Sequence, residues 1–162
     1  TIFILGDKMT KKRKTVAVSG GLDPIHVGHV RMILDAARYG DVIVILNSDD
    51  WLKDKKGYCF MPWEERAEIV RAIQGVVSVV NTINDTDGTV CNTLRNLKKD
   101  VDLDYFANGG DRVISNTPEM KVCNELEIGL LWNVGGGKIQ SSSTLVNNTM
   151  WGKRSYKNGI EF

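Results

Sequence analysis

His26-Val27-Gly28-His29 sets two imidazoles three residues apart, and the stretch before it, Ser19-Gly20-Gly21-Leu22-Asp23-Pro24-Ile25, reads as the exit from a strand. At a helix start, residues three apart share a face beside main-chain N–H groups without intrahelical acceptors and the positive end of the helix dipole. Such a place suits a phosphate. Each imidazole offers a hydrogen bond without a fixed charge, Gly28 keeps the floor between the rings free of a side chain, and Gly20 and Gly21 let the backbone approach closely. A histidine pair on a helix is more often structural than functional. These, however, are the only two histidines in the chain, and they fall at the carboxyl end of the first expected strand, where open α/β sheets bind ligands.

Four further segments carry side chains capable of chemistry. Asn47-Ser48-Asp49-Asp50 opens a polar stretch to Met61, expected as a mobile loop, that holds Lys53, Lys55 and Lys56; a solvated charge run explains these lysines on composition alone. Arg66 offers a rigid guanidinium fork suited to phosphates, and has Glu64 and Glu65 beside it as surface partners. Asn108-Gly109-Gly110-Asp111-Arg112 is either an ordinary turn or a loop flat enough for a base to stack on its backbone. Lys138-Ile139-Gln140-Ser141-Ser142-Ser143 precedes an expected helix start, where serines serve as caps and hydroxyls and amides also bind phosphate. Asp23 is placed to shape the glycine loop or to assist a metal. Cys59, Cys91 and Cys123 are not clustered, and no ligand spacing marks a permanent metal site. Gly137-Lys138 lacks the Ser or Thr of a P-loop, Gly20-Gly21 lacks the other glycines of the dinucleotide fingerprint, and the second strand ends in Asn47 rather than in a ribose-binding acid.

The elements that must bring these groups together follow from hydrophobic pattern. Thr15–Ser19 is a β-rich run, and Val30, Ile33, Leu34 and Ala37 follow at helical spacing until Gly40. Val42-Ile43-Val44-Ile45-Leu46 is apolar throughout, as in a parallel strand buried on both faces. Pro62 suits a first helical turn before Ala67, Ile69, Val70 and Ile73. Then come an expected strand over 76–80, a helix over 90–97, a strand over 105–107, a helix capped by Thr117, a strand over 130–132 and a helical turn over 142–147. Alternation of this kind implies a three-layer α/β fold with a parallel sheet of about five strands. The expected organisation is a flexible extension over 1–13, one domain over 14–148 and a tail over 149–162. Met9 resembles a translation start, which would make 1–8 an upstream extension. The chain has 162 residues and net charge +1, so no general attraction to nucleic acid or to an anionic membrane is expected, and the basic run over 11–14 is expected only to solvate the chain end. Residues 1–5 are too short for a signal segment, and a cytoplasmic protein is expected.

The run Gly20-Gly21-Leu22-Asp23-Pro24-Ile25-His26-Val27-Gly28-His29 resembles the signature of the HxGH-motif nucleotidyltransferase superfamily, and the resemblance extends from about Lys14 to Val146. Members transfer a nucleoside monophosphate from a triphosphate to a phosphorylated acceptor on a Rossmann-like three-layer fold. The resemblance implies that His26 and His29 attend the α-phosphate, within a loop of Gly20, Gly21, Leu22, Asp23 and Gly28. A loop lysine, Lys55 or Lys53, would neutralise the triphosphate, and Arg66 would reach the acceptor or the phosphates. Asn108, Gly109, Gly110, Asp111 and Arg112 would line base and ribose, and Lys138 with Ser141, Ser142 and Ser143 would hold the outer phosphates. Gly136 stands where the choline- and glycerol-phosphate cytidylyltransferases carry an arginine, so that Lys138 or Arg112 would supply the charge. Among branches the chain looks most like the heptose-phosphate adenylyltransferases, then the glycerol-phosphate cytidylyltransferases. The implied substrates are ATP or CTP with Mg²⁺ and a phosphorylated sugar or polyol. The implied assembly is a homodimer, with Trp132, Trp151 and Tyr156 at the contact or packed internally. A non-catalytic nucleotide sensor on the same fold is the alternative.

Overall fold

A strand apolar at every position is stable only where both its faces are covered. In the computed structural model, which describes residues 12–83, 85–110 and 117–157 with side chains to 149, that condition is met by layers of helices on either side of one sheet. The elements run β1 (Thr15–Gly20), α1 (Val27–Ala36), β2 (Asp41–Leu46), α2 (Asp49–Lys56), α3 (Trp63–Arg71), β3 (Val76–Asn81), α4 (Cys91–Asp100), β4 (Tyr105–Gly109), α5 (Pro118–Glu125), β5 (Gly129–Val134) and α6 (Ser142–Lys157). The sheet is Rossmann-like, five strands in the order β3-β2-β1-β4-β5, and every pairing is parallel.

The period of two along a strand divides the core. Val16 and Val18 of β1 and Val42, Val44 and Leu46 of β2 pack with Ile33 and Ala36 of α1 and Ala67 and Val70 of α3. Their neighbours Ala17, Ile43 and Ile45 face the other way, against Leu94 and Leu97 of α4 and Val122 and Cys123 of α5. Because the chain leaves β1 toward β2 and only later returns to lay β4 on the other side, β1 and β4 bound a topological switch point. Ligands of open α/β sheets bind at the carboxyl edge there.

Several expectations change. The stretch expected as a mobile loop contains α2, whose Ser48 cap accepts from the Trp51 amide and whose Gly57 closes the helix in the left-handed region. Leu34 and Ile69, expected on buried faces, are exposed, and Ala36 and Arg66 lie inside instead; both helices are turned a little from the register that counting apolar residues suggests. The turn expected over 142–147 is the start of a helix whose main chain runs to Lys157. Thr117 caps α5 as expected, accepting from the Met120 amide. Cys91 and Cys123 are buried, and burial pushes the Cys123 thiol up to about 12. No helix among the described residues is long and apolar enough to cross a membrane.

Candidate active site

The first turn of α1 is closed by histidine at both ends of its capping box. His26 is the cap residue, and its Nδ1 accepts from the Gly28 amide at 3.1 Å. Its own main-chain N–H donates to Nδ1 of His29 at 3.2 Å. An imidazole nitrogen that accepts a main-chain N–H carries no proton, so each neutral ring keeps its hydrogen on Nε2. The rings stack with centroids 3.7 Å apart and planes 26° from parallel. Burial, and then the Lys138 charge, lower the His26 pKa. Burial, then His26 and the Lys56 charge, push His29 down to about 3. At neutral pH the site therefore holds two uncharged Nε2–H donors. A Cβ on Gly28 would stand 2.9 Å from Cε1 of His26, so the glycine is required for the His26 ring to lie where it does.

These rings border a cleft of about 330 Å³ at the carboxyl edge of β1 and β4. Its other walls are Ser19 and Gly20, Gly109 and Gly110, and the segment from Gly135 through Lys138 to Ser143. Gly110 has no room for a side chain, since a Cβ there would collide with the carbonyl oxygen of Gly136; the loops after β4 and β5 touch main chain to main chain. The serines divide their work. Ser142 Oγ donates to the carbonyl of Pro24 at 2.7 Å, tying the start of α6 to the histidine loop, and Ser141 Oγ accepts from the Thr144 amide at 3.4 Å as a cap. The amides of Ser142 and Ser143 stand at the open start of α6, the dipole end that favours anions. Two helix starts, two neutral imidazoles and two lysines, Lys56 and Lys138, thus border one cleft.

The loops around β1 and β2 are locked by two buried charged side chains, Arg66 and Asp23. Arg66 is completely buried. Its Nε donates to the Met61 carbonyl at 2.8 Å, its Nη1 to the carbonyls of Gly21 and Asn47 at 2.7 and 2.8 Å, and its Nη2 to Oδ1 of Asp49 at 2.6 Å. Asp49 is held below the usual carboxylate range by hydrogen bonding to Arg66 and Cys59 and by the Arg66 charge, against the opposing effect of burial. Asp23, also completely buried, accepts from the amides of Phe60 and Met61 at 2.6 and 2.5 Å.

The sequence-derived residues therefore separate. His26, His29, Gly20, Gly28, Gly109, Gly110, Lys138, Ser141, Ser142 and Ser143 come together at the cleft. Arg66, expected to reach acceptor or phosphates or else to pair with Glu64 or Glu65, does neither: its donors go to Asp49 and to the loop carbonyls. Asp23 shapes the loop, and both its oxygens are taken by amides. Leu22, expected among nucleotide contacts, sends its side chain into the core from a main chain with φ of 51°. Gly21 stands where a Cβ would meet Leu52 of α2 at 2.8 Å, and Asn108 is buried. Of the lysines, Lys53 pairs with Asp50 at 4.0 Å on the exposed face of α2, and Lys55 lies over the Trp51 ring, 4.5 Å from its centroid. Lys56, passed over in the sequence reading, borders the cleft. Its pKa is lowered by burial and by Lys55 and Arg66, against the opposing charge of Asp23. Asp111 and Arg112 lie outside the described residues, as do the side chains of Trp151 and Tyr156; Trp132 is half-buried on β5. Among the described residues no three of His, Cys, Asp and Glu gather to hold a metal ion.

A family profile described as cytidylyltransferase-like matches residues 17–133. The chain is 38% identical over 92 residues to the FAD synthase of Pyrococcus abyssi, covering 56% of this chain and 61% of that protein. It is 35% identical over 120 residues to the bifunctional protein HldE of Syntrophotalea carbinolica, covering 72% of this chain and 22% of that protein. It thus spans less than two thirds of either relative. A lipopolysaccharide core biosynthesis protein from Thermoplasma volcanium superposes with a TM-score of 0.59 at 16% identity, over 75% of this chain and 94% of that one, which is a likeness of fold.

Proposed function

This chain belongs to the cytidylyltransferase-like family of nucleotidyltransferases, and from that premise we propose that it transfers a nucleoside monophosphate from a magnesium–nucleoside triphosphate to a phosphorylated sugar or polyol, releasing pyrophosphate. Adenylate from ATP is favoured over cytidylate from CTP, because one relative is named for making FAD, a product that contains an adenylyl group. The observation that carries the reading is the histidine capping box. It fixes both tautomers, keeps both rings uncharged and leaves two Nε2–H donors in a cleft that also holds a second helix start.

In this reading an oxygen of the acceptor phosphate forms a bond to the α-phosphorus. The bond from that phosphorus to the β-bridging oxygen breaks, and pyrophosphate leaves with the electron pair. No proton need be removed from a phosphate dianion, so the protein's work is positioning and charge stabilisation. Nε2–H of His26 and of His29 donate to α-phosphate oxygens as negative charge shifts toward the leaving group. The amides of Ser142 and Ser143, with Lys138, hold the outer phosphates; Lys56 neutralises from the side of α2. Among the described residues the cleft is lined by imidazoles, lysines, hydroxyls and main-chain amides, groups that suit the phosphates of a triphosphate carrying its own magnesium ion.

The test is pyrophosphate release from ATP or CTP with Mg²⁺ and a panel of sugar, polyol and flavin phosphates. His29→Ala should lower turnover by about a hundredfold or more while the chain stays folded, the loss typical of one preorganised donor. Triphosphate binding without pyrophosphate release for any acceptor would make the protein a nucleotide-binding module instead.

A further inference from the structure

Asp35 is the penultimate residue of α1, where the helix dipole disfavours a carboxylate, and no basic residue stands in that last turn to offset it. Arg38, beyond the helix, pairs with Oδ1 at 3.1 Å from an exposed position. Oδ2 has a more distant partner. It accepts the main-chain N–H of Gly135 at 2.8 Å, across a separation of 100 residues in the chain. A carboxylate set against the dipole of its own helix serves the segment it reaches, and that segment is the loop after β5. The loop begins with a bulge: Leu131 pairs with Ala107 and Val134 with Gly109, so β5 carries one residue more than β4 over this span. Asn133 has a left-handed φ of 56° there, and a bulge re-aims the end of its strand.

Gly135 and Gly136 follow with φ of 84° and 76°, and Gly137 completes a run of three glycines before Lys138. Glycine loses more freedom on ordering than any other residue, so such a run keeps one shape only where something outside it fixes that shape. Two contacts on α1 do so. Asp35 takes the Gly135 amide, and a Cβ on Gly135 would stand 2.7 Å from Met32 Cα, which seats the loop directly on the helix. His29, Met32 and Asp35 follow one another at intervals of three, as neighbours along α1. His29 and Met32 border the cleft, and so does the loop from Gly135 to Lys138. One helix thus carries the His29 imidazole near its start and, about 9 Å further along its axis, the anchor of the loop that bears Lys138. We propose that Asp35 is a positioning residue of the nucleotide site: by holding the Gly135 amide it fixes the glycine loop, and Lys138 with it, at a set distance from the histidines before the triphosphate arrives. This rests on the reading of the cleft as a triphosphate site. Asp35 does not itself border the cleft, so it acts only through Gly135, and an anchored loop spares the ligand the entropic cost of ordering it.

Calorimetric titration of the full chain with magnesium–ATP and magnesium–CTP tests this, followed by steady-state pyrophosphate release with whichever triphosphate binds more tightly. Asp35→Ala should weaken that triphosphate by about tenfold or more, because binding must then order the loop. Asp35→Asn keeps a carbonyl oxygen for the Gly135 amide and gives up the charge, and should stay within about threefold of wild type. Arg38→Ala removes only the outer ion pair and should stay within about twofold. In turnover the loss from Asp35→Ala should fall on the triphosphate KM, with kcat within about threefold, as for an interaction shared by ground and transition states. Nitrogen-15 spectra of Asp35→Ala should show the amides of residues 135–138 displaced and the Nε2 signals of His26 and His29 in place. Unchanged affinity, Asp35→Asn as weak as Asp35→Ala, a loss confined to kcat, or displaced imidazole signals overturns the inference, the last because Asp35 would then act through α1. Weaker binding by Asp35→Ala in a chain that releases no pyrophosphate would sink the transfer reading and keep the positioning role; pyrophosphate release by a chain whose affinity ignores both Asp35 substitutions would do the reverse. A chain that binds neither triphosphate refutes both.

Discussion

Gly28→Ala separates the role of the histidine turn from its stability. An alanine Cβ would stand 2.9 Å from Cε1 and 3.0 Å from Nδ1 of His26, whereas nonbonded carbons settle at about 3.5–4.0 Å, so the ring must shift by roughly half an ångström or more. That movement lengthens the 3.1 Å bond from the Gly28 amide to Nδ1 and disturbs the 3.7 Å stack on His29. Loss of a cap costs about 1 kcal/mol, and replacing a helical glycine by alanine returns about 1 kcal/mol. The two offset, and thermal unfolding should shift by no more than a few degrees, roughly what 1 kcal/mol is worth in a domain of this size. Displacing Nε2 by such an amount should nevertheless lower turnover by about ten- to a hundredfold. Steady-state pyrophosphate release and a thermal melt on the same preparation decide the matter. Turnover within about threefold of wild type would show that ring position does not govern the reaction, and a large loss of stability would show that the steric account of the turn is wrong.

Arg66→Met should destabilise the chain by about 3–5 kcal/mol in urea unfolding, because it strands buried partners of a fully buried charge; a change under about 1 kcal/mol with activity abolished would return Arg66 to the substrate. Lys56→Ala should lower kcat/KM by about tenfold or more while Lys53→Ala stays within about twofold, and the opposite order would place the cation elsewhere on α2. Both histidines have folded-state pKa values below the free value, so the unfolded chain takes up protons first. Their stabilisation is complete above about pH 6.5 and declines as pH falls toward the folded values, with a slope of at most about 1.4 kcal/mol per pH unit for each ring. For His29 the decline extends to about 3. Urea midpoints between about pH 6.5 and pH 5 should fall for wild type and fall less for His29→Asn; equal slopes would contradict the buried neutral ring.

Most of the sheet was legible because β1 and β2 owe their place to unbroken apolar runs, and the site could be placed because the histidines follow directly from β1. The helix α2 was missed although its signals stand in the sequence: Ser48 as cap, Asp49 and Asp50 in the first turn, three lysines in the last and Gly57 beyond it. Reading it as a helix also sorts the lysines. Lys56 lies four residues from buried Leu52 and Lys55 four from Trp51, so these pairs share faces, and Lys53 points away from Lys55, toward Asp50. Arg66 was not legible as a structural residue. Its burial depends on the carbonyls of Gly21, Asn47 and Met61 converging from three separate segments, and no local pattern around Arg66 announces that convergence. Leu34 and Ile69 went astray for a related reason: helical spacing identifies an apolar stripe, but packing against the twisted sheet decides which edge of the stripe is covered.

The most direct test of the central claim is nitrogen-15 NMR of the two imidazoles, which are the only histidines in the chain, between about pH 7.5 and pH 5.5 with and without magnesium–ATP. The His29 ring should remain neutral and protonated on Nε2 across that range, the His26 ring should take up a proton only below its free value, and both Nε2 signals should move when the nucleotide binds. A ring that takes up a proton near its free value of about 6.5, or Nε2 signals indifferent to saturating nucleotide, would contradict the account.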